Sequence, residues 1–319
     1  MNVNNEHIPV LLNEVIEFLD PQDNHVYVDG TFGRGGYSTA ILDKASKSKV
    51  IGIDQDPEAI EYAQPIIAKY DGRLQVLQGK FGDMIELLNE QNIAEVDSIV
   101  LDIGISSPQI DNPERGFSFQ KEAKLDMRMS KSGESAYDIV NNYDEEDLAN
   151  IIYVFGEEHF SRRIARKIVA ERIKKPITTT TELASIIRSV VPKGKKAIDP
   201  STKTFQALRI KVNDELGELE RALVASERLL KENGKLAIVT FHSLEDRIVK
   251  LYLKNTSETR NNYNRHVPMF NEAIVLPKFK VINKKGYTAS DEEIRANPRS
   301  RSARLRTAIR INKHEVNHV

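Results

Sequence analysis

The stretch Val26-Tyr-Val-Asp29-Gly-Thr-Phe-Gly33-Arg-Gly35-Gly36-Tyr37 decides the fold. An apolar run ends in Asp29 and breaks into a glycine-rich turn, after which residues 38–45 have a helical pattern. A second apolar run, Lys49-Val-Ile-Gly-Ile53, ends in Asp54. This order predicts a β-α-β unit whose first turn a ligand can approach closely. Asp54 lies about 20 residues past the glycines, where an acid can accept hydrogen bonds from ribose hydroxyls. The stretch therefore predicts a cofactor that contains adenosine.

The spacing of the glycines bears on which cofactor binds. Glycines at positions 30, 33, 35 and 36 miss the G-x-G-x-x-G pattern of nicotinamide-binding folds. The chain also has no G-x-x-x-x-G-K-[ST] phosphate loop. An acid that closes the first strand, followed by a loose glycine turn, suits S-adenosylmethionine, which carries no phosphate for a helix N-terminus to bind. A tight turn without any ligand is the alternative interpretation of the glycine cluster alone.

Composition narrows the functional classes. The 319 residues are enough for about two domains. The chain has no cysteine, which excludes disulfides, thiolate metal sites and a cysteine nucleophile. Its histidines are scattered, so no metal site is predicted. No run reaches the roughly 18 apolar residues of a membrane helix, and the N-terminus lacks a signal-peptide pattern, so we expect a cytoplasmic protein without a membrane partner.

Two basic blocks stand out although the net charge is only −1. Residues 294–314 contain seven Lys or Arg and no acid, and residues 159–175 contain seven Lys or Arg with the single acid Glu171. Such blocks are typical of surfaces that bind a phosphate backbone. A solvated helix face or strand edge is the alternative for either block alone, but the two together favour RNA or DNA as a partner.

The first part of the chain alternates strand and helix patterns, which predicts a parallel sheet covered on both faces. The strand-like runs are residues 25–29, 49–54, 74–79 and 98–104, and the helical patterns are residues 38–45, 57–70 and 83–90. Between about Pro113 and Val212 there is little strand pattern and several helical ones, including a capping box of Thr179 and Glu182. This part is predicted to be an all-helical insertion.

The alternation then resumes with a helix at 216–230, a strand at 235–241 and a helix at 244–254 that Ser243 and Asp246 are predicted to cap. Closing strands are predicted at 273–283 and 304–311, with a loop between them at 284–301. The predicted fold is thus an α/β parallel sheet with an inserted all-helical domain. The predicted boundaries are 1–112 and 214–319 for the two parts of the sheet domain and 113–213 for the insertion.

The fourth strand ends in Asp102-Ile-Gly-Ile-Ser106-Ser107-Pro108-Gln109-Ile-Asp111, where an open α/β sheet binds its ligands. The lone pair of an exocyclic base amine is delocalised into the ring, and acceptors that bind its N–H groups help to localise it. Enzymes that methylate base amines carry a Ser/Asn/Asp-Pro-Pro-aromatic loop here. Ser107 and Pro108 resemble its start and are the predicted catalytic residues, although the second proline and the aromatic are missing. A loop turn without function is the alternative.

Other polar residues follow the later strand. His242 could contact substrate or phosphate, whereas Ser243 is interpreted as a helix cap. A ring that stacks on the base would have to come from elsewhere, such as Phe117 or Phe119.

Seven segments together resemble the bacterial MraW/RsmH family of ribosomal small-subunit RNA cytosine-N4 methyltransferases, and the resemblance covers nearly the whole chain. They are Asp29-Gly-Thr-Phe-Gly-Arg-Gly-Gly, Asp102-Ile-Gly-Ile-Ser-Ser-Pro-Gln-Ile-Asp111, Arg115-Gly-Phe-Ser-Phe119, Leu125-Asp-Met-Arg-Met129, Thr204-Phe-Gln-Ala-Leu-Arg-Ile210, Thr240-Phe-His-Ser-Leu-Glu-Asp-Arg247 and Asn297-Pro-Arg-Ser-Arg-Ser302.

The resemblance implies a Rossmann-like α/β methyltransferase sheet with an inserted all-helical domain. It also implies S-adenosylmethionine as the methyl donor and a cytidine in the decoding region of 16S ribosomal RNA, or of the small subunit, as the substrate. Tyr37 stands where the family more often has histidine. A homodimer is left open. The cofactor-binding positions that the resemblance implies are Gly35, Gly36, Tyr37, Asp54, Phe81, Asp102 and Gln109.

Three other functions are weighed against this one. A DNA amino-methyltransferase would use the same chemistry on a different nucleic acid. An RNA-binding ribosome-assembly factor with a vestigial cofactor pocket is disfavoured by the intact glycines and by Asp54 and Asp102. A nicotinamide oxidoreductase is disfavoured by the glycine spacing. As a hypothesis, the helical insertion and the arginine-rich C-terminal block, including Arg299, Arg301 and Arg304, bind the RNA backbone around a splayed-out base.

Overall fold

The structure is a computed structural model, and it describes residues 9–192, 199–258 and 276–311. These residues form eight strands: β1 Val26–Asp29, β2 Lys49–Asp54, β3 Leu74–Gln78, β4 Val96–Asp102, β5 Leu230–Thr240, β6 Phe279–Val281, β7 Tyr287–Thr288 and β8 Arg304–Arg310. The same residues form thirteen α-helices: α1 Leu12–Leu19, α2 Gly36–Lys44, α3 Pro57–Lys69, α4 Met84–Glu90, α5 Ser107–Asp111, α6 Ala136–Asn142, α7 Glu145–Gly156, α8 Ser161–Arg172, α9 Thr180–Val190, α10 Thr202–Asn213, α11 Glu215–Leu229, α12 Ser243–Ser257 and α13 Asp291–Ala296.

The chain divides into two compact units, residues 1–104 with 216–319 and residues 105–215. The helical unit thus begins earlier than the boundary at 113 that the sequence suggested. The reason is that the segment after β4 joins the helical core, in which Phe117 is buried and Ile105 packs against the buried residues.

The first unit is built on one sheet with the strand order β3-β2-β1-β4-β5-β8-β6, and β7 pairs with β8. Strands β1 to β5 pair in parallel, whereas β8 is antiparallel to β5, β6 and β7. The order reverses between β1 and β4, which is the point where doubly wound sheets bind ligands beyond the carboxyl ends of their strands. The predicted α/β sheet is therefore confirmed.

Both faces of this sheet are covered by apolar packing. Successive side chains of a strand point to opposite faces, and Ile99 and Leu101 of β4 belong to one buried cluster while Val100 belongs to another. In β1, Val28 and Tyr27 divide between the same two clusters. Burial on both faces explains why these strands read as continuous apolar runs in the sequence.

The second unit is helical, as predicted. Its buried residues from Phe117 to Leu208 form one apolar core. The capping box at α9 is confirmed, because Thr179 Oγ1 accepts the backbone N–H of Glu182 at 3.2 Å and the Glu182 carboxylate accepts that of Thr179 at 3.1 Å. Asn213 links α10 to a preceding loop, since its Oδ1 accepts the Met129 N–H and its Nδ2 donates to the Met127 carbonyl.

Three predictions for the C-terminal part need correction. Residues 284–301 are not only loop, because they contain β7, α13 and the start of a 3-10 turn at Pro298–Ser302. The strand predicted at 273–283 is confined, among the described residues, to β6, and residues 273–275 lie outside them. The N-cap of α12 is His242 and not Ser243, which is the first helical residue.

No helix among the described residues is both long enough and apolar enough to span a bilayer.

Candidate active site

The turn after β1 is bonded to both neighbouring strands. The backbone N–H of Gly30 donates to the Val100 carbonyl of β4 at 3.0 Å, and that of Phe32 donates to the Ile53 carbonyl of β2 at 2.9 Å. Thr31 adds a third link, since its Oγ1 accepts the backbone N–H of Asp102 at 2.6 Å. The turn is thereby held at the carboxyl end of the sheet, where the sequence predicted that a ligand approaches.

Two of the glycines in this turn need their residue type for conformational reasons. Gly33 and Gly35 have φ values of +52° and +73°, a region that side chains with a Cβ rarely adopt. At Gly36 the reason is packing, because a Cβ there would collide with the ring of Pro9. Gly35 has the left-handed backbone and Gly36 begins α2. The cofactor role implied for these two glycines stays a prediction.

Asp54 ends β2 and is bound on both carboxylate oxygens. Oδ2 accepts the N–H of Gly33 and Oδ1 accepts the N–H of Asp56, each at 2.8 Å. Burial, only partly offset by these hydrogen bonds, raises the pKa of Asp54 to about 6. Each oxygen retains a lone pair for a further donor, which a ribose hydroxyl can provide.

Asp29 ends β1, is fully buried, and was not among the cofactor-binding residues predicted from the sequence. Its Oδ2 accepts from the Ser38 hydroxyl of α2 at 2.7 Å, and its Oδ1 accepts from the Thr31 N–H at 3.4 Å. Burial raises the pKa of Asp29 to about 6. The sequence signal for Asp29 is an acid at the end of an otherwise apolar strand. Through these two hydrogen bonds its carboxylate links the glycine turn to α2.

Asp102 ends β4, and its Oδ1 is buried without a hydrogen-bond partner among the residues that the structure describes. Burial and the nearby carboxylates of Asp29 and Glu245 raise the pKa of Asp102 well above its usual range. An acceptor in this state is suited to a cationic donor group, because a cation would satisfy the oxygen and restore the charged form.

Tyr37 and Phe81 are the aromatic residues predicted at the cofactor. The Tyr37 ring is buried, and its hydroxyl donates to the Val10 carbonyl, so the side chain is engaged within the protein. Phe81 is half-buried in the turn after β3, and its Cβ lies 3.3 Å from the place that a Cβ on Gly30 would occupy.

The turn that carries Phe81 is held by Glu218, a buried acid of α11 that was not predicted from the sequence. Glu218 accepts the backbone N–H of Gly82 at 3.0 Å and pairs with Lys80 at 3.2 Å and with Arg221 at 2.6 Å. An acid inside an amphipathic helix gives no local sign of a partner more than a hundred residues away, so only the structure reveals this link.

The predicted catalytic segment forms a short helix in the second unit. Ser107 and Pro108 are the first two residues of α5 and are half-buried. The side-chain oxygen of Gln109 accepts the backbone N–H of Ser106 at 3.0 Å, so its amide closes the N-terminus of α5. The cofactor role of Gln109 and the catalytic roles of Ser107 and Pro108 stay predictions.

Several arginines of the C-terminal block bind the protein itself. Arg306 is buried and donates two hydrogen bonds to Asp246, at 2.6 and 2.9 Å. Arg304 contacts the Lys285 carbonyl at 2.5 Å, and Arg310 donates to the carbonyls of Glu227 and Lys278. Arg295, Arg299 and Arg301 have exposed side chains. Lys313 lies outside the described residues.

The second basic block is confirmed as one face of the amphipathic helix α8. Arg162, Arg163 and Arg166 are exposed, whereas Ile164, Ala165 and Ile168 are buried in the helical core. Arg172, at the end of α8, donates to the carbonyls of Val140 and Tyr143 and is thus engaged within the unit.

Comparison with known proteins gives consistent results. The model of the MraW methylase family matches residues 4–311. The ribosomal RNA small subunit methyltransferase H of Paramagnetospirillum magneticum is 54% identical over 304 residues, which are 95% of this chain and 95% of that protein. The protein of the same name from Rhodospirillum centenum is 55% identical over 304 residues, 95% of this chain and 92% of that protein.

Among solved structures, an rRNA methylase from Streptococcus thermophilus aligns with 96% of this chain and 99% of its own, at a TM-score of 0.43 and 9% identity. The strand order given above establishes the fold independently of that score.

Proposed function

The chain belongs to the MraW methylase family, and from this premise we propose that it transfers a methyl group from S-adenosylmethionine to the N4 amine of a cytidine in the decoding region of 16S ribosomal RNA. The names of the relatives, which are ribosomal RNA small subunit methyltransferases, support the substrate class. The finer assignment to one cytidine and to its N4 atom rests on the sequence motifs.

The unpartnered Oδ1 of Asp102 is the observation that carries the proposal for the donor. Asp54 ends β2, Asp102 ends β4 and Phe81 follows β3, all at the carboxyl edge of one sheet. S-adenosylmethionine presents an ammonium group, two ribose hydroxyls and an adenine ring. For these groups the residues offer, in the same order, the buried carboxyl of Asp102, the carboxylate of Asp54 and the apolar ring of Phe81. The residues present therefore fit this donor.

When bound, S-adenosylmethionine supplies an electrophilic methyl group on a positively charged sulfur. In the proposed site, Asp54 binds the ribose hydroxyls and Asp102 accepts from the ammonium group. Phe81 packs on adenine, and Gly35, Gly36, Tyr37 and Gln109 complete the contacts.

At the acceptor, the chain has to present a base amine whose lone pair is only weakly nucleophilic. We propose that the hydroxyl of Ser107 or the carbonyl of Pro108 accepts a hydrogen bond from one N–H of the amine. A cytidine in structured RNA has to be splayed out before it can react. The exposed arginines of α8 and of the C-terminal block are proposed to bind the phosphates around that cytidine. Because the proposed substrate is part of the ribosomal small subunit, we also propose a cytoplasmic location.

A labelled-methyl assay tests the proposal. Small subunits from cells that lack the gene, and duplex DNA as the rival substrate, are incubated with the protein and labelled S-adenosylmethionine. The expected product is N4-methylcytidine in a digest of 16S ribosomal RNA, with no label in DNA. Label in DNA alone would support the DNA amino-methyltransferase instead. Donor binding without turnover on any form of the subunit would support an assembly factor. Sedimentation of the purified protein separately tests whether it forms a homodimer.

A further inference from the structure

Unsatisfied polar atoms concentrate at one place in the sheet unit. Within the described ranges, five buried side-chain N or O atoms have no hydrogen-bond partner, and three of them belong to Asp102, His242 and Glu245. Asp102 ends β4, and the other two residues follow β5, its neighbour in the sheet. Buried polar groups without a partner are rare in native proteins and call for a ligand or another explanation.

The strand pairing brings these residues to the same edge. Asp102 of β4 is paired with Val239 of β5, and the next residue, Ile103, donates its N–H to the Val239 carbonyl at 2.9 Å. His242 thus lies only three residues beyond the partner of Asp102. The Glu245 carboxylate is close enough to contribute to the raised pKa of Asp102.

His242 and Glu245 form one local unit at the N-terminus of α12. Glu245 is fully buried, and its Oε2 accepts the backbone N–H groups of Phe241 at 2.8 Å and of His242 at 3.2 Å. His242 Nδ1 accepts the Glu245 N–H at 3.5 Å, so in the neutral ring the proton is on Nε2. His242 Nε2 and Glu245 Oε1 lie 2.9 Å apart, but neither atom has a hydrogen-bond partner among the described residues.

This arrangement places a hydrogen-bond donor beside an acceptor. The Nε2–H of His242 can donate, and Oε1 of Glu245 can accept. On the Watson–Crick edge of cytosine, the N3 acceptor lies beside the N4 amino donor, so the two patterns are complementary. In uracil both groups are reversed, because N3 donates and O4 accepts. Flipped bases are read through this edge, and carboxylates accept from the cytosine amine.

We propose that His242 and Glu245 are the subsite that selects cytosine, an inference that rests on the proposed function. Glu245 Oε1 accepts an N–H of the N4 amine, and His242 Nε2–H donates to N3. When the N4 lone pair forms the new C–N bond, the bond from the methyl carbon to sulfur breaks and its electron pair stays on sulfur. One N–H bond then breaks, its electron pair stays on N4, and the proton passes to Glu245 Oε1 and later to water.

Two conservative variants test the subsite without removing the helix cap. Glu245→Gln can keep one acceptor for the backbone N–H groups but replaces the charge and turns Oε1 into an amide donor. His242→Asn keeps an N-cap residue of good propensity but removes the Nε2–H. Ser290→Ala is the matched control, because Ser290 caps α13 in the same unit by accepting the Glu293 N–H and is not part of the proposed site.

Four quantities are measured for each variant: the melting temperature, the Kd for S-adenosylmethionine, kcat on small subunits, and the relative affinity for subunits whose target nucleotide is cytidine or uridine. The target nucleotide is mapped from the wild-type product. We expect Glu245→Gln to lower kcat about 100-fold and to narrow or reverse the preference for cytidine. His242→Asn should also reduce the preference for cytidine over uridine and should lower kcat about tenfold. The donor Kd should change less than threefold.

A kcat within about threefold of wild type in Glu245→Gln, with an unchanged cytidine preference, would overturn the subsite. So would a loss confined to donor affinity, because the two residues would then belong to the donor site. Behaviour like that of Ser290→Ala, with only a lower melting temperature, would show that they merely cap α12. If Glu245→Gln does not fold, the cytidine preference of His242→Asn decides. A wild-type protein that methylates no ribosomal RNA would refute the proposed function itself, which is a separate result.

Discussion

The Asp54 carboxylate accepts the backbone N–H of Gly33 at 2.8 Å, so the end of β2 is bonded to the glycine turn that follows β1. The same carboxylate is the proposed partner of the ribose hydroxyls. One side chain therefore both shapes the turn and binds the ligand that the turn receives.

Replacing Asp54 with alanine is expected to weaken S-adenosylmethionine binding about 10- to 100-fold, because hydrogen bonds to a charged group contribute roughly 1.5–3 kcal/mol. Asp54→Asn should lose less, since it keeps one acceptor. Isothermal titration calorimetry measures both. Glu61→Ala, an exposed position on α3, serves as the control and should leave the affinity unchanged. Unchanged binding in Asp54→Ala would exclude the ribose role.

The stability of the ligand-free protein should depend on Asp29 and Asp54 between about pH 4 and pH 6. Burial raises the pKa of each from 3.8 to about 6. In this window the folded state binds more protons than the unfolded state, so this contribution to stability is full below the unfolded pKa and is lost as pH rises through about 6. The slope is at most about 1.4 kcal/mol per pH unit for each group.

Urea titrations of wild type and Asp54→Asn at several pH values measure this effect as a difference in the free energy of unfolding. Carboxyl groups with lowered pKa, such as Asp126 and Asp199, act at lower pH and are common to both proteins. The variant should lose less stability than wild type between about pH 4 and pH 6. Parallel curves would mean that Asp54 is not protonated in the folded state.

Gly30→Ala should destabilise the sheet unit by about 1–3 kcal/mol, the usual cost of overpacking. A Cβ at this position collides with the buried side chain of Leu101 and comes within 3.3 Å of the Phe81 Cβ. Donor affinity should fall as well, because Phe81 is displaced. Denaturant unfolding and calorimetry report the two effects. Gly133→Ala is the comparison, since it has a φ of +81° but nothing within 4 Å of the added carbon, and it should cost stability without affecting the donor.

Arg306→Met should lower the free energy of unfolding by about 3 kcal/mol, near the low end for breaking a buried ion pair because Asp246 is 26% exposed. The double variant Arg306→Met/Asp246→Leu should recover much of this loss, since no unpaired buried charge is left and Arg304, which also lies 3.9 Å from Asp246, is partly exposed. Chemical denaturation provides the values. If the double variant is as unstable as the single one, the packing of the arginine and not its charge is what matters.

Arg301→Ala, unlike Arg306→Met, should affect RNA binding and not stability. Because Arg301 is exposed, its loss should change stability by no more than about 0.5 kcal/mol. If it contacts a phosphate, the affinity for ribosomal RNA should fall and the slope of log affinity against log salt should decrease by about one. Filter binding over a series of salt concentrations measures the slope. A wild-type slope would remove Arg301 from the RNA surface.

The elements predicted most accurately are those whose signal is local. The first four strands are confirmed because burial on both faces leaves continuous apolar runs, and the cap of α9 is confirmed because Thr179 and Glu182 are only three residues apart. The α12 cap was assigned one residue too late, because serine is the commoner cap and the sequence does not show that the His242 ring accepts the Glu245 N–H.

Long-range pairing was not predictable. Arg304, Arg306 and Arg310 of β8 are separated by even numbers of residues, so a strand places them on one side. The sequence does not reveal what covers that side. In the structure Asp246 and several backbone carbonyls cover it, so these arginines satisfy the protein's own acceptors. Glu218 and the turn of Phe81 are linked in the same non-local way.

The position of β8 has a consequence for biosynthesis. This strand is the last of the described strands in chain order, yet it lies inside the sheet between β5 and β6. During translation β5 must wait as an open edge, with unpaired N–H and C=O groups, until β8 leaves the ribosome. A nascent chain stopped before residue 304 would carry every acid of the donor site but would leave the backbone N–H and C=O groups along one side of β5 unpaired. Such truncated products are expected to be targets for chaperones and proteases.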